Sequence, residues 1–335
     1  MNIKLKNILQ SREALVLILL LVLVLSTGLV NSNFLKAKSI IEIFNTSLTL
    51  TLIAVGEMFV ILTRGIDVSV AAITGLSAVI LGTTLNLGWP IALAILAAIL
   101  TGILAGAFNA FGVTFLKVPP IIMTLGTLGI YRGLMRIIAG GSWIERLPQN
   151  IKDPNIWKFL GIPFFVWLSL AIVIVTGIIS LKYKKARYLY AVGDNADGAF
   201  LLGIPVKLSL FSAYTLAGFF SALAAIVYTS QIGFVSMNAA DGFELKAIAA
   251  CVLGGVGLMG GVGTAFGAAI GALFLTAVRS MLIFLGVPGI LDNAFAGAIL
   301  LLVVYIDYRV RKSLEYKQIQ ARAQAENITI KGQES

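Results

Sequence analysis

Residues 62–70, Leu62-Thr63-Arg64-Gly65-Ile66-Asp67-Val68-Ser69-Val70, form a short polar island between two long apolar runs at about 39–62 and 66–86. Each run is near the ~20 residues that a helix needs to cross a hydrocarbon core. Neither run alternates with period two, which favours helices over strands. Gly65 permits a break between them. Asp67 and Ser69 then present polar groups beside irregular backbone. At membrane depth such backbone is tolerated only where it lines a cavity or is buried in protein. The other reading of the same residues is a cytoplasmic turn, with Arg64 snorkelling and Asp67 capping the next helix.

The pattern recurs along the chain. Hydrophobic spans read at about 14–30, 39–62, 66–86, 90–116, 118–139, 163–181, 207–229, 245–262, 264–285 and 291–306. Of the 335 residues, 59% are hydrophobic and 12% charged, whereas a soluble domain is roughly 45–50% apolar and about 25% charged. The excess needs a bilayer. The fold class is therefore an all-α polytopic membrane protein of about ten transmembrane helices. A cytoplasmic N-terminal segment (1–13) precedes the permeation domain (14–306). A basic cytoplasmic tail (307–335) follows it, starting helical and fraying into disorder. Glycines blur the boundary within 245–285. That stretch and 66–86 are both rich in small residues and each follows a polar stretch, a hint of an internal repeat around a central pathway.

Orientation follows from Lys and Arg in the loops. With the N-terminus in the cytoplasm, 16 of these residues fall on the cytoplasmic side and 6 opposite, with Arg132, Arg136 and Arg279 inside spans. The net charge of +10 is thus topology and not a nucleic-acid signal. Lys4, Lys6 and Arg12 before the first span resemble a signal sequence, but no small-residue cleavage site follows Ser26-Thr27-Gly28, so the span is read as uncleaved. The chain has no His and one Cys, Cys251. It therefore lacks the commonest metal ligand and general base and any internal disulfide. Cys251 reads as a small buried residue. No nucleophile–base pair, metal cluster or cofactor motif emerges. The acids Glu42, Glu57, Asp67 and Asp292 are costly within spans, but they fall near span ends, where solvation is open to them.

Three further stretches carry polar or glycine-rich patterns. Prolines open the helix at Pro119-Pro120, and Thr124, Gly126, Gly129 and Gly133 on it are spaced for close helix contact. Thr124 and Thr127 are alternatively candidates to border a pathway, with Asp67 and Ser69. Arg132 and Arg136, on one face, either face that pathway or snorkel. In the loop Tyr190–Pro205, Asp194 or Asn195 caps a short helix that Gly203 ends. Phe200 and Leu202 on so short a helix make sense if another protein covers them. Gln231, Glu244 and Lys246 flank the outer ends of their spans as candidates for an outer-side gate or protein contact, before a Gly254-Gly255 segment that lacks the Lys-Ser/Thr of a phosphate loop.

Together the Asp67 string, the Thr124-Leu125-Gly126-Thr127-Leu128-Gly129 helix, the cytoplasmic loop and the Gly254-Gly255 segment resemble the ribose-type sugar permeases of bacterial ABC importers, over about residues 14–310. Within that family the chain is most similar to the autoinducer-2 import permeases. Thr63-Arg64, Gly140–Pro148, Gly193-Asp194-Asn195, Ser230–Phe234 and Glu244–Gly255 carry this likeness. Gly65 departs from that subfamily, which has Asn there, so autoinducer-2 and a related sugar both stay open as cargo. The resemblance implies a second permease chain, two cytoplasmic ATPase subunits that hydrolyse the ATP, and a periplasmic binding protein. It assigns the loop to ATPase docking and the chain to the inner membrane; the bias of Lys and Arg among the loops places both termini in the cytoplasm. An ion-coupled secondary transporter is the reading from another class; it wants mid-depth carboxylates or His relays.

Overall fold

The structure, a computed structural model, describes residues 12–305, 308, 309 and 312. The basic start of the chain and most of the tail lie outside the described residues. The chain runs through α1 (Arg12–Val30), α2 (Ala37–Leu62), α3 (Val70–Asn86), α4 (Ile91–Thr114), α5 (Pro120–Ile138), α6 (Gln149–Ile156), α7 (Phe164–Lys182), α8 (Lys184–Asp194), α9 (Ala196–Leu201), α10 (Val206–Ile232), α11 (Phe243–Leu253), α12 (Ala265–Phe284) and α13 (Asp292–Tyr305). A two-stranded hairpin, Lys158–Phe159 with Ile162–Pro163, joins α6 to α7. Among the described residues, seven helices (α1, α2, α4, α5, α7, α10 and α12) are long and apolar enough to cross a membrane; α3 and α13 are apolar but shorter.

Position in the bundle follows from what each helix buries. The most apolar stretch of α2 is 94% buried, against 17–28% for α1, α4, α5 and α7. α2 is therefore a core helix, and the other four turn apolar faces outwards, as lipid-facing helices do. Small residues set the closest approaches. A Cβ on Gly102 or Gly106 of α4 would run into the backbone of α10 at Gly218 or Tyr214, and one on Gly218 into Gly102. The same holds between α11 and α12, where Gly254 meets Gly267 and Gly271 meets Ala250. Small residues let backbones touch in an apolar medium, where dispersion and not the hydrophobic effect holds helices together.

Four expectations need correction. The span at 245–262 is not one helix. α11 has 11 residues and covers about 16 Å, half of a ~30 Å hydrocarbon core. Residues 254–264 continue as a loop in which Gly255, Gly260 and Gly261 hold positive φ. The span at 66–86 becomes helical only at Val70. The 182–206 connection holds two helices, because α8 precedes the expected short one. Finally, Gly126, Gly129 and Gly133 of α5 do not pack within the chain: a Cβ on any of them would meet no described atom within 4 Å.

Candidate functional site

The break between α2 and α3 is a buried polar knot. Arg64 takes a left-handed φ of 65° and turns the chain back along α2. The Asp67 amide donates to Glu57 Oε1 at 3.0 Å. The Ser69 amide and hydroxyl donate to Asp67 Oδ1 at 2.8 and 2.6 Å. From α4, the Asn109 amide donates to Asp67 Oδ2 at 3.2 Å and to Ser69 Oγ at 2.7 Å. The Tyr131 hydroxyl donates to Ala105 O at 2.9 Å and lies 3.3 Å from Asn109 Oδ1. Val68 N–H donates to Thr124 Oγ1 at 3.3 Å, and the Thr124 hydroxyl donates to Pro120 O at 3.0 Å. Thr127 is buried beside these residues, and its hydroxyl donates to Thr124 O.

Glu57, Asp67, Ser69, Asn109 and Thr124 are all fully buried. The expectation that solvent reaches the acids at span ends is overturned for Glu57 and Asp67, because α4, α5 and α10 close over them. It holds for Glu42, which is exposed. Asp292 is half-buried, and it pairs with Lys246 at 2.6 Å and with Arg279 at 3.5 Å. Of the expected pathway residues, the structure bonds Ser69 directly to Asp67, whereas Thr124 bonds to the backbone of Val68 and Ile66 and Thr127 to Thr124 O. Asn109 and Tyr131 had escaped notice. The available signal was an Asn within the apolar run 90–116, since polar groups inside a span need partners.

At the Leu62 end of α2 three segments converge. Arg64 is exposed, and its guanidinium donates to Gly193 O at 2.6 Å and to Asp194 O. These are the last carbonyls of α8, which a cation at a helix C-terminus satisfies. Gly261 N–H donates to Leu62 O at 3.0 Å. Asn195 then starts α9 as its cap, accepting from Gly198 N–H at 2.9 Å. Gly203, at φ 76°, turns the chain after it. Phe200, Leu201 and Leu202 are 71%, 85% and 81% exposed.

The other expected group stands at the opposite end of α2. Gln231 donates to Asn45 O at 2.6 Å. Lys246 pairs with Asp292, and Glu244 is half-buried with one carboxylate oxygen unpartnered among the described residues. The three therefore share an end of the bundle without bonding to one another. Arg132 holds Ala239 O at 2.7 Å and Asp241 at 3.4 Å, whereas Arg136 is exposed.

Residues 39–304 match the family model described as "Branched-chain amino acid transport system / permease component". The chain belongs to this permease family. It is 43% identical over 311 residues to the "Autoinducer 2 import system permease protein LsrC" of Salmonella choleraesuis (strain SC-B67), a match that covers 93% of this chain and 90% of that one. The protein of the same name from Salmonella typhi is equally similar over the same shares. That from Escherichia coli O157:H7 is 42% identical over 93% of this chain and 91% of its own. The resemblance read from the motifs is borne out, and the chain is a multi-pass transport permease.

Proposed function

We propose that this chain is the membrane permease of an ABC importer that takes up autoinducer-2 across the bacterial inner membrane. The observation that carries the reading is the 43% identity, along nearly the whole chain, to permeases named for that import. The architecture supports it. The short helix α9 ends in three adjacent exposed apolar residues, and the end of α8 just before it is hydrogen-bonded, through Arg64, to the break between α2 and α3. Such a helix suits docking of one of two ATPase subunits that supply the energy. The open glycine face of α5 suits a second permease chain, because unfilled small-residue faces let helices approach in lipid. A periplasmic binding protein completes the assembly. Glu57 and Asp67 are the kind of buried acids an ion-coupled carrier uses, yet both oxygens of Asp67 are held by Ser69 and Asn109.

The test is uptake of labelled autoinducer-2 into vesicles that hold the chain with its second permease and ATPase. ATP-dependent uptake is expected, and D-ribose competes weakly. Uptake of ribose but not autoinducer-2 reassigns the cargo. Uptake that ignores ATP but follows a proton or sodium gradient refutes the importer reading.

Two predictions arise here. Gly203→Leu forces a β-carbon into a left-handed turn that no neighbour crowds, so the chain still inserts. Uptake should fall at least tenfold, roughly the effect of losing one good contact, while ATP hydrolysis by the complex persists. Wild-type uptake in that variant removes the case for docking at α9. For orientation, in a Cys251→Ala background, Ser142→Cys should react with an impermeant thiol reagent from outside and Asp197→Cys should not. Reversed labelling refutes the cytoplasmic placement of both termini.

A further inference from the structure

A cavity of about 410 Å³ opens beside α2, between its Ala37 end, the Ile232 end of α10 and the loop 238–243. We infer that this cavity is a binding site for a small polyhydroxylated solute, a resting place on the chain itself for cargo between capture and passage. The inference rests on the reading of the chain as a permease for such a solute.

Position is the first argument. The cavity lies at the end of the bundle opposite α9, where cargo enters an importer. Chemistry is the second. Its wall carries the amides of Gln231 and Asn238, the phenol of Tyr228 and the Thr49 side chain, with Asp241 and Arg279 as opposite charges. This set both donates and accepts, which is what a solute bearing several hydroxyls can match all round. A branched aliphatic group placed there would strip water from these groups and give nothing back. The third argument is an unspent group. Thr49 is 3% exposed, and its hydroxyl has no partner among the described residues. Buried polar groups are normally satisfied, so each exception asks for a reason. The volume falls within the ~300–1,000 Å³ usual for small-molecule sites. Gln231 is already oriented by its bonds to Asn45, so the wall is formed before any solute arrives.

The experiment uses the assembled transporter in vesicles, in a Cys251→Ala background. Asn238→Cys, on the exposed rim, is labelled from outside with an impermeant thiol reagent. Autoinducer-2 should slow labelling about tenfold when nine in ten sites are filled, and L-leucine at equal concentration should not. In Gln231→Met and Thr49→Val the concentration needed for protection should rise about tenfold. Protection by D-ribose alone keeps the site and changes the cargo. Unchanged labelling in a complex that still takes up autoinducer-2 overturns the site and leaves the permease reading intact. Protection by L-leucine overturns the solute class. No ATP-dependent uptake of either solute overturns the permease reading, and this inference with it.

Discussion

Gly218→Leu is expected to leave almost no folded chain in the membrane. Gly218 sits where α10 crosses α4, and a Cβ there would collide with the Gly102 carbonyl and press on Gly106 Cα at 2.9 Å. Neither obstacle is a side-chain tip that could swing aside; both are helix backbone. The helices would have to separate, and the contact that holds them in lipid is close backbone packing. Overpacking usually costs about 1–3 kcal/mol and occasionally more; Gly218→Leu belongs beyond that range and Gly218→Ala within it. Gly126→Ala is the control. It meets nothing within the chain, and on a helix alanine is favoured over glycine by about 1 kcal/mol. Thermal unfolding of the detergent-purified single chain separates these cases. Equal melting of Gly218→Leu and wild type would refute the α4–α10 crossing.

Removing the carboxylate of Asp67 should have the next largest effect. In Asp67→Ala the Ser69 amide and hydroxyl lose their acceptor, and Asn109 keeps only Ser69. Each buried donor left unmade costs about 1–3 kcal/mol, so a loss of about 3 kcal/mol is expected. Asp67→Asn keeps one acceptor oxygen but turns an N–H towards the Asn109 amide, and should fall between. Thr124→Val removes one weak acceptor from Val68 N–H, worth about 1 kcal/mol. The knot therefore predicts reduced assembly in the order Asp67→Ala, Asp67→Asn, Thr124→Val. A route-lining role predicts normal assembly with reduced uptake. Uptake normalised to assembled complex decides; wild-type rates in both Asp67→Asn and Thr124→Val refute a route here.

Much of the candidate site was legible because it is local. Asn195 caps α9, Gly203 turns after it, and the polar island at 62–70 breaks the helix, all from residue types within a few positions of one another. Asn109 and Tyr131 were not legible as members of the knot. They lie 42 and 64 residues from Asp67 in the chain; Asn109 reaches it, and Tyr131 reaches Asn109, only because α4 and α5 pack beside the break. The glycines of α5 misled for the opposite reason. Their spacing announces close contact but cannot say whether the neighbour belongs to the same chain, and among the described residues none does.

By itself the sequence determined the environment and the approximate crossings, because transfer of ~20 apolar residues into lipid is a property of each segment alone. It also determined where the chain must turn, because glycine, proline and capping residues act over one helical turn. Which helix is central, which acids are buried and which glycines bear contacts were decided only by the tertiary structure. α2 is no more apolar than its neighbours, with a mean hydropathy of 1.6 against 2.5 for α4 and α7, yet it is the one enclosed. Hydropathy does not order burial here: α5, at 1.4, is only 22% buried, and α1, at 2.7, is 17% buried. In a membrane both the bilayer and the protein interior accept apolar side chains, so hydropathy cannot separate them. The helix that carries Asn45 and Glu57 must instead turn those groups towards protein, where Gln231 and the Asp67 amide meet them.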